Sequence, residues 1–196
     1  EDKTEVMVAP GHPNRDDLPA RELPFSRELF IDQDDFREEA NKKYKRLVIG
    51  KRVRLRNAYV VEADEAIKDA DGNIIEVRAR IIEDTVGKDP ADGVKPKGVI
   101  HWVDATDNLD CEVRLYDRLF NDPAPDAGGK DFMQSLNPDS LEILTGCKAE
   151  TSLAKSDPEA RFQFEREGYF IQDSRYSKPD SLVYNRVIGL RDTWAK

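Results

Sequence analysis

Apolar residues recur along the chain in short runs, and within most of these runs they alternate with polar residues. A two-residue alternation is typical of strands that bury one face. Eight such runs predict short strands, at residues 28–31, 53–61, 74–81, 99–103, 113–120, 141–144, 161–171 and 183–190. Strands of this length and spacing favour a mainly-β protein built as one barrel or as a pair of barrels.

Helical signals are few. Residues 34–43 hold helix-forming side chains after an acidic first turn, which predicts a short helix with Asp34 or Asp35 near its N-cap. Residues 131–136 predict one or two helical turns. Residues 1–24 are rich in Pro and Asp and predict an irregular lead-in that contains one short apolar run.

The residue types that usually bind metals or perform catalysis form no recognisable site in this sequence. The cluster at 69–73 echoes the start of a calcium-binding loop but lacks the closing glutamate, so a hairpin turn is the preferred interpretation. His12 and His101 stand in no Cys/His spacing that binds zinc. With no acid–base pair and no Gly-rich phosphate loop, we expect this chain to hold no catalytic centre, metal or cofactor.

Composition narrows the class of protein further. The 196 residues suffice for one large or two small domains, and the net charge of −9 argues against a general affinity for nucleic acid. Two cysteines are too few for a disulfide framework, and no apolar run approaches the length of a membrane span. We therefore expect a cytoplasmic protein without a membrane partner. The chain begins at Glu1, which is expected of a fragment.

One segment breaks the acidic character of the chain. Residues 41–57 contain eight basic residues and no acidic residue. A strand here would direct Arg52, Arg54 and Arg56 to one face, about 6.6–6.8 Å apart, which matches the scale of successive phosphates or splayed bases of RNA. Val53 and Leu55 would then face the core. The alternative is a solvated basic edge that deters pairing between sheets.

Several blocks of sequence resemble the C-terminal anticodon-binding region of bacterial glutaminyl-tRNA synthetases. The resemblance runs nearly from end to end. Its blocks are residues 35–42, 44–48, 53–59, 88–93, 97–103, 114–120, 162–170 and 189–196.

The resemblance implies a fold and a set of partners. It implies two nested β-barrels of the ribosomal L25-like anticodon-binding type with a few short helices. The proximal barrel would comprise residues 1–25 and 107–196, and the distal barrel residues 26–106. The expected partners are the anticodon stem-loop of tRNA(Gln) and a catalytic domain upstream in the same polypeptide, which would use ATP and Mg²⁺. The protein is expected to be a monomer, and this chain alone to be inactive as a ligase.

The same resemblance implies roles for the basic segment. Arg54 and Arg56 resemble the pair that reads the first anticodon base. Lys45 and Arg46 resemble the contact to the third base, a guanine, for which arginine is a favoured bidentate partner. Lys43 stands where the best-known members have glutamine, so the resemblance assigns it no definite role.

Residues outside the basic segment complete the implied site. Gln163 and Arg166 resemble the pocket for the central uracil, although strand alternation would send them to opposite faces unless a bulge or strand end re-aims one of them. An arginine of that pocket would lie before residue 1. Pro13, Asn14 and Asn57 fall where the family contacts the second base or the extended anticodon stem.

Three alternatives remain open at this stage. The first is the same barrel pair in a related glutamyl-tRNA synthetase, which would prefer another anticodon. The second is a free-standing L25-like protein that binds ribosomal RNA. The third is a structural domain with a basic edge.

Overall fold

Pairing between short strands organises residues 4–190, the part of the chain that the computed structural model describes. The chain divides into two compact units between Asn108 and Leu109. The strands of the first unit are β1 (Glu5–Ala9), β2 (Arg21–Phe25), β3 (Leu29–Phe30), β4 (Phe36–Arg37), β5 (Leu47–Val48), β6 (Arg52–Leu55), β7 (Val60–Lys68), β8 (Ile74–Ile82), β9 (Val99–Ile100) and β10 (Val103–Asp104). A 3-10 helix, Gln33–Asp35, lies between β3 and β4.

A four-stranded sheet with the order β8-β7-β6-β9 is the largest element of the first unit. Strand β6 shows the predicted alternation, because Val53 and Leu55 are buried whereas Arg52 and Arg54 are not. Three two-stranded ladders, β1-β2, β3-β10 and the parallel β4-β5, complete the unit.

The core of the first unit joins the start of the chain to the basic segment. Met7 and Phe25 belong to one buried cluster with Val53, Leu55 and Trp102. The rings of Phe25 and Trp102 meet edge to face with centroids 5.2 Å apart. The predicted division, with residues 1–25 joined to 107–196 and separated from 26–106, is therefore corrected. Strands β1 and β2 bury their apolar face in the first unit.

Strands β7 and β8 form a long hairpin. The turn between them is the one predicted at 69–73, where an Asp69 carboxylate oxygen accepts hydrogen bonds from the backbone N–H groups of Asp71 (2.9 Å) and Asn73 (2.8 Å). A hydrogen bond from the Asn73 side chain is the largest cause that lowers the pKa of Asp69, and the backbone hydrogen bonds lower it further. Nearly all of β8 is solvent-exposed, and it forms the outer edge of its sheet.

The second unit is built on one mixed sheet. Its strands are β11 (Leu109–Tyr116), β12 (Leu141–Ala149), β13 (Arg161–Phe164), β14 (Gly168–Gln172) and β15 (Leu182–Ile188). The strand order is β12-β11-β15-β14-β13, and only β11 and β15 are parallel. The core consists mainly of Cys111, Val113, Phe170, Leu182 and Tyr184. Three 3-10 helices, Ala127–Gly129, Phe132–Ser135 and Thr151–Lys155, lie in the connections.

The mainly-β class and the two-part organisation are confirmed, and residues 132–135 form the helical turn predicted there. Within residues 4–190 the strands pair as open sheets, so their hydrogen bonding does not close a barrel.

Several predicted elements differ from the structure, and the runs predicted at 53–61 and 99–103 each divide into two strands. The helix predicted at 34–43 is wrong, because Phe36 turns its side chain into the core and pairs with Leu47 in the parallel β4-β5 ladder. The lead-in predicted as irregular contains β1 and β2. The single strand predicted at 161–171 is a hairpin of two strands.

Part of one resembling block, residues 191–196, lies outside the described residues. No helix between residues 4 and 190 is long and apolar enough to cross a membrane.

Candidate nucleic-acid interface

The N-terminal part of the basic segment lines a shallow cavity of about 320 Å³. Residues 43–46 approach β5 in an extended turn, in which the backbone N–H of Tyr44 donates to the carbonyl oxygen of Asn41 (3.1 Å). The lining side chains are those of Asp34, Arg37, Lys43, Tyr44, Lys45 and Arg46. Four of the six are cationic, so the cavity favours an anionic or electron-rich guest.

Arg46 is held in place by a buried carboxylate. Its Nε lies 2.9 Å and its Nη1 3.1 Å from Oδ1 of Asp35. The Asp35 side chain is only 4% exposed, whereas that of Arg46 is 26% exposed. One side of the guanidinium is therefore fixed to the protein. Nη2 and the second hydrogen of Nη1 form a forked donor, the geometry that pairs with O6 and N7 of guanine.

Tyr44 and Arg37 line the cavity beside Arg46. The hydroxyl of Tyr44 donates to the backbone carbonyl oxygen of Asp34 (2.7 Å), and the Arg37 guanidinium lies 4.7 Å from the centroid of the Tyr44 ring. Burial is the largest cause that raises the pKa of Tyr44, followed by the negative charge of Asp35. The Tyr44 side chain therefore stays uncharged, and its hydrogen bond fixes the orientation of the ring.

Lys43 and Lys45 are exposed on the same segment. The backbone carbonyl of Lys45 lies so close to Gly98 that a Cβ at position 98 would overlap its oxygen. Only glycine permits this contact, which joins the basic segment to the residues that lead into β9. A glycine at 98 therefore positions Lys45 from a distant part of the sequence.

The three arginines of the predicted row differ in their contacts. Arg52 pairs with Glu62 (2.8 Å) and Asp92 (2.7 Å) and is 14% exposed. The hydrogen bond to Glu62 is the largest cause that raises the pKa of Arg52, and the hydrogen bond to Asp92 is the next. The row is therefore not a uniform RNA-facing surface, because acidic side chains from β7 and from residues 88–94 fold over its first member.

Arg54 is engaged by backbone oxygens. Its Nη1 donates to the carbonyl of Thr85 (2.5 Å) and its Nη2 to that of Lys88 (2.6 Å), and the side chain is 18% exposed. Arg56, two residues further, is exposed. Of the pair implied for the first base, Arg56 presents the accessible side chain, and Arg54 secures the neighbouring loop.

Asn57, Pro13 and Asn14 lie in turns of the first unit. Asn57 adopts a positive φ of 59° between β6 and β7, where the N–H of Ala58 donates to the carbonyl of Leu55 (2.9 Å). Pro13 and Asn14 are exposed between β1 and β2, and the backbone N–H of Asn14 donates to Nδ1 of His12 (3.1 Å).

Gln163 and Arg166 lie in the second unit, on either side of a turn. Gln163 is exposed on β13 opposite Tyr169, and Arg166 sits in the turn to β14 with a positive φ of 66°. Strand alternation therefore does not govern the direction of Arg166, because this residue lies beyond the end of β13. Gly168 follows with φ 148°, and a Cβ there would overlap the backbone oxygen of Ile188, so the hairpin packs tightly against β15.

The structure gathers some of the predicted residues and separates others. Lys43, Lys45 and Arg46 share one cavity. Gln163 and Arg166 share one hairpin in the other unit. Asp35 and Arg37 were not predicted as site residues. No sequence signal singled out Asp35, because its need for a cation such as Arg46 arises from its burial in the fold.

An oriented arginine, exposed lysines and a tyrosine ring on a mainly-β fold are the kinds of side chain that proteins use to bind unpaired RNA bases. Two family models, both described as the anticodon-binding domain of class I tRNA synthetases (E and Q), match residues 1–82 and 99–173. The chain belongs to this family of anticodon-binding domains. Its membership favours the anticodon interpretation over a free-standing ribosomal-RNA-binding protein and over a purely structural basic edge.

Curated relatives point in the same direction. The chain is 57% identical over 196 residues to the glutamine–tRNA ligase of Colwellia psychrerythraea, covering 100% of this chain and 35% of the relative. It is 56% identical over 196 residues to that of Pseudomonas syringae pv. tomato (99% and 34%) and 55% identical over 192 residues to that of Serratia proteamaculans (98% and 34%). The chain thus spans about a third of the length of these relatives.

Proposed function

We propose that this chain reads the anticodon of tRNA(Gln), CUG or UUG. The observation that carries the proposal is the pairing of Arg46 with buried Asp35, which presents a fixed forked donor in a cationic cavity. The similarity to glutamine–tRNA ligases supports glutamine as the amino acid.

In the proposed complex the three bases are unstacked and bound separately. Arg46, with Lys45 beside it, donates to O6 and N7 of the third base, guanine. The Gln163 amide offers both a donor and an acceptor to the central uracil, and Arg166 adds a donor from the same hairpin. Arg56, supported by Arg54, contacts the first base.

The remaining residues contribute outside these base contacts. Pro13, Asn14 and Asn57 contact the second base or the extended anticodon stem. Lys43 is a phosphate-directed point charge, because an exposed ammonium lacks the planar fork that base edges require.

The proposed setting is a cytoplasmic, monomeric class I synthetase that attaches glutamine to tRNA. In that enzyme a separate catalytic domain of the same polypeptide would use ATP and Mg²⁺, and the anticodon-binding part would need no cofactor. The chain alone is therefore expected to show no aminoacylation.

A second candidate is the anticodon-binding part of a glutamyl-tRNA synthetase, since the matching family models cover both enzymes. The two candidates differ in the third base, which is guanine in glutamine anticodons and cytosine in the glutamate anticodons CUC and UUC. Preference for guanine at that position separates them.

Titration of labelled anticodon stem-loops tests the proposal. The chain should bind loops with CUG or UUG more tightly than loops with a changed central uracil, and more tightly than loops ending in cytosine. Equal affinity for all these loops would refute sequence-specific reading, and a preference for CUC and UUC would support the glutamyl alternative.

A further inference from the structure

The only two cysteines of the chain lie directly opposite each other in the second unit. Cys111 on β11 and Cys147 on β12 are Cα partners in the antiparallel register, and both are free thiols. Directly opposed residues of an antiparallel pair have Cα atoms about 4.5–5.5 Å apart, which falls within the range of about 4.4–6.8 Å found in disulfides.

Both thiols also point to the same side of the sheet. Cys111 is part of the buried core of the second unit, and Cys147 packs against that core. Their Cβ atoms in such a pair are about 4.5–5.5 Å apart, so a disulfide, with about 3.5–4.5 Å, requires them to approach by roughly 1 Å.

The backbone beside the two cysteines can accommodate this approach of their Cβ atoms. The register of β11 and β12 shifts immediately beside the pair, between Cys111 and Val113, and Gly146 next to Cys147 has a positive φ of 69°. Such a bulge bends and twists its strand and leaves one residue outside the ladder. A small rotation at this bulge can bring Cys147 closer without breaking the ladder on its other side.

The two thiols differ in access. Burial, the largest cause, raises the pKa of Cys111 to about 12. Cys147 is half-buried, with its Sγ 3.8 Å from the carbonyl oxygen of Leu144. An oxidant from solution therefore meets Cys147 first, whereas Cys111 reacts only with a partner already held beside it.

We propose that Cys111 and Cys147 form a redox-active dithiol that a low-molecular-weight disulfide, such as glutathione disulfide, converts to a cross-strand disulfide. The Cys147 thiolate attacks one sulfur of glutathione disulfide, forms a mixed disulfide and releases one glutathione thiolate. Cys111, after losing its proton to solvent, then attacks the Cys147 sulfur and releases the second glutathione. Two protein thiols are oxidised, and one glutathione disulfide is reduced to two glutathione molecules.

The product would fasten one edge of the five-stranded sheet. It would connect β11 to β12 covalently and close a loop over residues 112–146, which carries two of the 3-10 helices. The modification site shares no residue with the RNA contacts proposed above, and none of those residues lies in this loop.

The test incubates the reduced, dilute chain with glutathione disulfide and measures intact mass, free thiols after denaturation and peptide linkage. We expect loss of both thiols, a mass decrease of two hydrogen atoms and one linked peptide pair containing Cys111 and Cys147. Glutathione adducts without an internal link, disulfide-linked dimers or unchanged thiols would each overturn the proposal.

Single substitutions supply matched controls. In C111S the accessible Cys147 should accumulate as a stable glutathione adduct, whereas in C147S the buried Cys111 should stay reduced. Circular dichroism checks that both variants fold, and C111A replaces C111S if the buried hydroxyl disrupts the core. Rapid adduct formation on Cys111 in folded C147S would contradict the assigned order of reaction.

Discussion

At the scale of single residues, the interface depends on a carboxylate that does not touch RNA in the proposed complex. Asp35 is buried and holds two nitrogens of Arg46. The side chain of Arg46 therefore has two tasks, to neutralise Asp35 and to present its outer edge. A substitution of Arg46 changes both the free energy of unfolding and the affinity for RNA, and the two effects have to be measured separately.

Arg46→Ala should weaken binding of loops ending in guanine more than binding of loops altered at that base. It should also lower the free energy of unfolding by about 1–3 kcal/mol, because the Asp35 carboxylate stays buried without its partner. The double variant Asp35→Asn/Arg46→Ala should recover part of the stability but none of the guanine preference. Stem-loop titration and urea unfolding of the single and double variants give both quantities.

A uniform loss of affinity across all loops would instead make Arg46 a phosphate contact. Full stability of Arg46→Ala would show that Asp35 does not depend on it.

A second buried carboxylate, Asp104, fixes the loops around β10. It accepts hydrogen bonds from the backbone N–H of Ser26 (2.7 Å), from both donors of Thr106 (2.8 and 2.7 Å) and from the N–H of Asp107 (2.9 Å). Burial is the largest influence on the pKa of Asp104 and raises it, but the accepted hydrogen bonds together outweigh burial, and the pKa is lowered.

A lowered pKa makes the contribution of Asp104 to stability depend on pH. The contribution is complete above the unfolded pKa of about 3.9 and is lost as the pH falls through the lower folded value. Asp104→Asn should therefore cost about 1–2 kcal/mol at pH 7, and the difference from the unsubstituted chain should shrink below about pH 4. Urea unfolding across this pH range measures it, and a difference independent of pH would exclude the carboxylate charge as the cause.

At the scale of elements, sequence reasoning located strands whose faces are clearly divided and failed where long-range pairing decides the structure. The alternation around Val53 and Leu55 is local, so β6 was predictable. The helix predicted at 34–43 has good local propensity, yet burial of Phe36 in the core and its ladder with Leu47 outweigh that propensity. Strand β2 was missed because Pro24 and two charged residues mask its buried Leu23 and Phe25.

The contacts of Arg54 lead to a prediction for one such long-range connection. The two terminal nitrogens of Arg54 donate separately to the carbonyls of Thr85 and Lys88. The single ammonium group of a lysine at position 54 cannot reproduce this forked geometry. Arg54→Lys should lower the free energy of unfolding by about 1–2 kcal/mol and increase amide hydrogen exchange of residues 83–90.

Arg78→Lys is the matched control, because Arg78 is 59% exposed and its partners Glu65 and Glu76 are exposed on the β7–β8 hairpin. It should change stability by less than about 0.5 kcal/mol. Equal effects of the two substitutions would show that Arg54 is not a structural clamp.

At the scale of the whole molecule, charge is separated along an acidic chain. The net charge is −9, yet residues 41–57 carry eight basic residues. This contrast made the location of the basic surface predictable. Its internal division was not, because the partners of Arg46, Arg52 and Arg54 come from other segments and could not be recognised without the fold.

Separated charge predicts that binding depends steeply on salt despite the negative net charge. Lys43→Gln should weaken all loops about equally and should reduce the slope of log affinity against log salt by about 0.7–1. Lys130→Gln makes the same change of charge at a lysine that is paired with Asp122 in the second unit, and it should leave the slope unchanged. Titrations at several salt concentrations measure both slopes. A loss confined to one anticodon would make Lys43 a base contact.

The exposed hairpin of β7 and β8 has a consequence for handling the protein at high concentration. Its outer strand offers unpaired backbone groups beside exposed apolar side chains such as Ile75, which is 66% exposed. Arg78 pairs with Glu65 and Glu76, so charged groups of both signs accompany that edge. A second molecule adding its own strand there would have to displace or desolvate these charges. These charges therefore oppose edge-to-edge pairing of the hairpin at high protein concentration, and neutralising them would favour such pairing.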